Sequence, residues 1–137
     1  MAIKIFVLLS MLFLHIIAEY NLQGYLEKRK CKTWYDDSVY YTIGLTKHQY
    51  YESKYRYDYL MALFLHSFRW TFMIMLPLTI HIVISGGMWY PLCYVTNTVV
   101  YMIVDNEKTN KHTLSLIQKQ TIHLIQILST WIAFVIL

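Results

Sequence analysis

Histidines and carboxylates at helical spacing are the residues of this chain best suited to chemistry. His15, Glu19 and Gln23 stand at i, i+4 and i+8, on one face of a helix. His66 and Arg69, Tyr101 and Asp105, and Gln120 and His123 make three further pairs at i+3 or i+4. Neutral imidazole with carboxylate suits zinc, iron or manganese, and a metal with an open position activates water at neutral pH. His15, Glu19, His66, Asp105 and His123 are therefore candidate ligands to one divalent metal ion, with Gln23 and Gln120 as partners that orient them. The same groups suit proton transfer, or simply hydrogen bonds that hold helices together. A b-type haem is a further candidate cofactor, because His66 and His81 lie about 22 Å apart along nearly one helix face. Only His66 could face His123 on another helix, so at most one such haem fits.

The elements that must position these residues follow from composition. The 137 residues are 57% hydrophobic and 15% charged, against about 25% charged in soluble domains. A bilayer core about 30 Å thick needs about 20 helical residues, and four apolar runs approach that length: about 3–23, 59–84, 90–104 and 120–137. The second contains Pro77, which membrane helices tolerate. The third, shorter and rich in Thr and Val, could also be a buried or re-entrant segment. The expected fold is thus all-α, a polytopic membrane protein with four transmembrane helices in one bundle. Tryptophans and tyrosines near the run ends fit an aromatic belt.

Charge orients the bundle. Ten of the twelve Lys/Arg lie between Lys28 and Arg56 or between Lys108 and Lys119, which makes 24–58 and 105–119 cytoplasmic loops and puts both termini outside an inner membrane. Glu19, Gln23, His66, Asp105, Gln120 and His123 then all fall in the cytoplasmic half. A cleaved signal peptide is the rival reading of the N-terminus, with Ala18 near the cleavage position. Against it, the cations Lys28, Arg29, Lys30 and Lys32 follow the apolar run rather than precede it. Nine of the thirteen tyrosines lie from Tyr25 to Tyr59, interleaved with cations. That pattern favours anionic lipid headgroups as the partner and disfavours nucleic acid, given its place between two spans. A short hairpin over 38–46 is a further expectation. Cys31 and Cys93 have no metal or disulfide spacing and read as reduced thiols.

The stretch His15-Ile-Ile-Ala-Glu-Tyr-Asn-Leu-Gln23 resembles the H-L-L-A-D-F-x-L-Q signature of a family of small polytopic bacterial and phage membrane proteins, catalogued as a domain of unknown function. Leu65-His66-Ser67 is similar to its L-H-[AS], Val104-Asp105-Asn106-Glu107-Lys108 to its I-D-x-x-K, and Gln120-Thr-Ile-His123 to its D-Q-x-x-H. Two positions depart: Tyr101 stands where the family often has His, and Lys119 where it has Asp. Both departures remove metal-binding groups. The resemblance implies fold and location and no established activity.

The first expectation for function is therefore an integral membrane protein, bacterial or phage-encoded, that acts without catalysis, as a homo-oligomer or with a host membrane protein. A membrane-embedded metal-dependent hydrolase, a small oligomeric transporter or channel, and a b-type haem-binding anchor are the alternatives.

Overall fold

The computed structural model describes residues 2–21, 28–32, 57–88 and 91–136. Gln23, most of the tyrosine-rich loop and the 38–46 hairpin expectation lie outside them. The described residues form four long helices packed as an all-α bundle: α1 Ala2–Ile16, α2 Asp58–Ile84, α3 Pro91–Thr109 and α4 Leu116–Trp131. Helix α1 packs on α2, α2 on α3, α3 on α4, and α4 returns to α1, closing the ring.

Neighbours run antiparallel, as the contacts at each end show. Trp131 near the end of α4 donates its indole N–H to the Lys4 carbonyl at the start of α1, at 2.9 Å. Thr79 and Tyr94 share a hydroxyl–hydroxyl bond of 2.6 Å where α2 ends and α3 begins. At the opposite end, Trp70 reaches back to His15.

Local sequence explains the helix ends. Ser115 caps α4: its hydroxyl accepts from the Gln118 N–H at 3.2 Å, while Gln118 Oε1 accepts from the Ser115 N–H at 2.8 Å. This reciprocal capping box satisfies two amides that a helix start otherwise leaves unpaired. Ser115→Ala is expected to lower stability by about 1 kcal/mol, read as a lower midpoint in thermal unfolding of the detergent-solubilised protein. An unchanged midpoint would mean that packing alone holds the start of α4.

Helix α2 stops at Gly86, whose positive φ of 70° suits a residue without Cβ. The Gly87 N–H returns to the Ile82 carbonyl and the Gly86 N–H to that of Val83, the paired bonds of a Schellman turn. Helix α3 continues past Val104 to Thr109, so Asp105 sits within a helix rather than in a loop. Beyond it, Glu107 accepts from Lys111 and Thr113, and these bonds, Lys111 first, hold its carboxyl below the usual range.

Helix α1 widens into a π-helical turn over Ile17–Asn21. The wider turn carries more than four residues, so two consecutive residues, Ala18 and Glu19, both face the interior. Such turns often mark functional positions.

Besides an apolar core that includes Met11, Leu63, Trp70, Ile74, Leu78 and Ile127, the bundle buries charged groups and leaves large apolar side chains outside. Phe6, Phe13, Phe64, Phe68, Phe72 and Ile80 are exposed, while His15, Glu19, Lys30, Asp105, Lys119 and His123 are buried. Two helices, Ala2–Asn21 and Asp58–Ile84, are long and apolar enough to cross a membrane. Four runs were expected to do so from sequence. Helix α3 is diluted by Asn97, Asp105, Asn106, Glu107 and Lys108, and α4 is only 16 residues long before its own π-helical turn at Ile132–Ile136.

Candidate functional site

The end of α1, the first third of α2, the end of α3 and the start of α4 meet at one end of the bundle. Backbone helical spacing brings one polar face of each helix there. His15 and Glu19 come from α1 and its π-helical turn, His66, Arg69 and Trp70 from α2, Tyr101 and Asp105 from α3, and Lys119, Gln120 and His123 from α4. The segment 28–32 adds Lys30. It is tied down by Asn110, whose side chain accepts from the Lys32 N–H at 2.8 Å and donates to the Lys30 carbonyl at 3.1 Å.

Ion pairs organise the centre. Asp105, fully buried, has one carboxylate oxygen 2.8 Å from Lys30 Nζ and the other 2.8 Å from Lys119 Nζ. Lys119 also donates to Glu19 Oε2 at 3.1 Å. Two carboxylates thus balance two ammonium groups, as removal of this many charges from water requires. His66 Nε2 lies 3.9 Å from Asp105.

Hydrogen-bond directions define the protonation of His15. The Trp70 indole can only donate, and it reaches His15 Nδ1 at 2.8 Å. Nδ1 is therefore an acceptor, and the remaining N–H sits on Nε2, which donates to Gln120 Oε1 at 2.9 Å. Gln120 in turn donates to Glu19 Oε2 at 3.3 Å.

A second relay starts at Arg69, which donates to His66 Nδ1 at 3.2 Å; His66 Nε2 lies 3.2 Å from the Tyr101 hydroxyl, and Tyr101 donates to Glu19 Oε1. Both relays end on Glu19. Its carboxylate accepts from Tyr101, Lys119 and Gln120 and is the hub of the site.

These contacts also explain why the candidate ligands do not assemble a metal centre. Among the described residues, no group of three or more His, Cys, Asp or Glu is arranged to hold a metal ion. Lysine ammonium groups stand where a cation would have to bind Asp105 and Glu19. Both ring nitrogens of His15 are committed to Trp70 and Gln120. Of the histidines considered for haem, His66 is engaged by Arg69 and Tyr101, and His81 lies in a different place, in an apolar groove of about 550 Å³ with Ile3, Phe6 and Ile80.

His123 stands apart. Fully buried, its ring stacks on Tyr101 with centroids 4.3 Å apart and planes 13° from parallel. Trp70 and His15 lie at 5.0 and 6.2 Å. Neither ring nitrogen is hydrogen-bonded by the described residues. Such a buried, unpaired polar group costs about 1–3 kcal/mol.

Of the residues expected to form the site, all except Gln23, which lies outside the described residues, meet here. Sequence reasoning missed Lys30, Lys119 and Trp70. Lys119 had a signal, because it lies four residues before His123 and so on the same face. Lys30 had none. Also missed was a polar seam farther along α3 and α4. Gln126 donates to Asn97 Oδ1 at 2.7 Å and to the Asn97 carbonyl at 2.8 Å, and Thr130 pairs with Asn97 at 3.4 Å. The positions 97, 101 and 105 on α3, with 119, 123, 126 and 130 on α4, would have shown this seam as one stripe.

Fold and site together define an all-α four-helix bundle with a buried network at one end, in which two carboxylates meet two lysines and Arg69 lies alongside. The chain matches no family model, no curated protein and no solved structure.

Proposed function

We propose that this chain is an integral membrane protein of four membrane segments that acts without a catalytic metal. Its resemblance to small polytopic proteins of bacteria and phages points to an inner membrane, and the Lys/Arg distribution to 24–58 and the α3–α4 connection on the cytoplasmic side. The observation that carries the reading is the broad apolar outer surface, with Phe6, Phe13, Phe64, Phe68 and Phe72 facing outward, around an interior that holds the ion pairs beside its apolar core. In water that arrangement leaves apolar surface exposed on every side, whereas lipid covers it. α3 and α4 are sheltered in such a bundle because their polar stripes face each other and the interior.

The buried network is, on this reading, a lock. It fastens the 28–32 segment to the ends of α3 and α4, through Lys30–Asp105 and Asn110. On the same reading, the sequence of the basic, tyrosine-rich loop suits anionic headgroups as its partner.

Alkaline carbonate extraction tests the location, and elemental analysis of the detergent-purified protein tests the chemistry. The protein is expected to stay in the membrane pellet and to carry no stoichiometric metal. Release into the alkaline supernatant would overturn the membrane reading. About one metal ion per chain, lost in Glu19→Ala, would restore the metal-dependent hydrolase.

A further inference from the structure

Arg69 carries a charge that the lock does not neutralise. Glu19 and Asp105 face Lys30 and Lys119, while the Arg69 guanidinium meets no carboxylate among the described residues. We infer that Arg69 binds the phosphate of an anionic membrane lipid of the cytoplasmic leaflet. The inference rests on the membrane reading above and names the group that holds its anionic headgroup.

Charge is the first support. Arginine does not lose its proton in proteins, so it cannot answer burial by becoming neutral. Helix α2 is one of the two long and apolar enough to cross a membrane, and Arg69 stands about 16 Å along it from Asp58. A cation at that depth needs an anion or a way to the interface. Among the described residues its only hydrogen bond is from Nη2 to His66 Nδ1, at 3.2 Å, and its buried Nε–H has no acceptor.

The direction of the side chain is the second support. His66 precedes Arg69 by one helical turn, so the guanidinium runs back toward the start of α2, the end that the Lys/Arg distribution puts on the cytoplasmic side. Exposed Lys32 stands at that end too, with Nζ 4.7 Å from the centre of the Tyr59 ring. An anionic head is therefore drawn to the end from which Arg69 is reached.

The surface around Arg69 supplies the rest. The residue is half-buried, and Leu65, Phe68 and Phe72, at i−4, i−1 and i+3 from it, are exposed. Phe72, Leu76 and Ile80 continue this apolar stripe away from the cytoplasmic end in steps of four residues. A ligand that fits both features is an amphiphile, with an anion for the guanidinium and acyl tails for the stripe. The planar guanidinium matches two oxygens of a phosphate with two parallel N–H groups. In a zwitterionic lipid the choline already neutralises that phosphate, so an anionic lipid is the better partner.

The test follows thermal unfolding of the full chain in mild detergent by circular dichroism. Phosphatidylglycerol is expected to raise the midpoint by several degrees more than the same amount of phosphatidylcholine, because a ligand that binds only the folded protein stabilises it. In Arg69→Gln the extra rise is expected to vanish, and in Arg69→Lys, which keeps the charge without the fork, to shrink. Arg69→Met replaces the Gln variant if that does not fold. Each variant is compared with itself, with and without lipid, so its own change in stability cancels. Equal effects of the two lipids on the wild type overturn the inference, as does the full phosphatidylglycerol rise in a folded Arg69→Gln protein. Sodium phosphate at matched ionic strength is expected to give no rise. A rise with sodium phosphate and none with phosphatidylglycerol, abolished in Arg69→Gln, overturns the lipid as the source of the phosphate. Release by alkaline carbonate overturns the membrane reading and the inference with it, whereas a chain that stays in the membrane but shows no phosphatidylglycerol effect overturns the inference alone.

Discussion

Asp105→Asn is expected to destabilise the bundle by about 3–5 kcal/mol, the cost of leaving a buried charge without its partner. The carboxylate is fully buried and 2.8 Å from two ammonium groups. Its replacement by a neutral amide leaves Lys30 and Lys119 facing only Glu19, so one ammonium is uncompensated. It also removes one tie between the 28–32 segment and the end of α3, leaving those to Asn110. The double variant Lys30→Met with Asp105→Leu removes one charge of each sign and keeps the Lys119–Glu19 pair, so it is expected to recover most of the loss. Thermal unfolding in a mild detergent, followed by circular dichroism, reads both variants. Equal midpoints for the single and the double variant would show that charge balance is not what Asp105 supplies.

Glu19→Leu is expected to cost as much or more. Glu19 accepts from Tyr101, Lys119 and Gln120, and both directional relays end on it. Without the carboxylate, one ammonium is again unbalanced, at about 3–5 kcal/mol, and the Tyr101 hydroxyl and the Gln120 amide lose their acceptor. Glu19→Gln keeps the volume and one acceptor oxygen, so it is expected to be milder while still leaving the charge unbalanced. A double-mutant cycle of Glu19→Gln with Lys119→Met isolates the pair, and contacts of this kind couple by about 0.5–3 kcal/mol. A coupling of zero would show that Lys119 answers to Asp105 alone. The unfolding assay is the same, and the Tyr101 hydroxyl provides a second readout through its ultraviolet absorbance.

Much of the site was visible as periodicity. His15 with Glu19 and Tyr101 with Asp105 repeat every four residues, and a helix places such residues on one face. An apolar chain with so few charges must also turn that face inward, because lipid and packed side chains both exclude it. Depth was legible too. The alternation of four apolar runs with basic connections puts the end of α1, the start of α2, the end of α3 and the start of α4 at one level, where the hydrogen bonds are found.

Charge partners were not legible. Lys30 and Lys119 flank apolar runs, and a basic residue in that place reads as a solvated loop charge under the positive-inside rule. Both are buried, because the π-helical turn aims Glu19 at Lys119 and Asn110 clamps the backbone at Lys30. The same contacts are why no metal-holding group stands among the described residues. Residue types and spacing admit a cation between His15, Glu19, His66 and Asp105, but the cations present are the chain's own lysines.

Sequence alone determined which residues share a helix face and which end of each helix is polar, since these depend only on the local repeat of 3.6 residues and on hydrophobicity. Tertiary structure alone decided which donor meets which acceptor: that Trp70 sets the tautomer of His15, that two lysines meet two carboxylates, and that neither His123 nitrogen has a partner among the described residues. Those outcomes turn on distances of a few tenths of an ångström between helices far apart in the chain. No local pattern encodes such distances, because they result from the packing of all four helices at once.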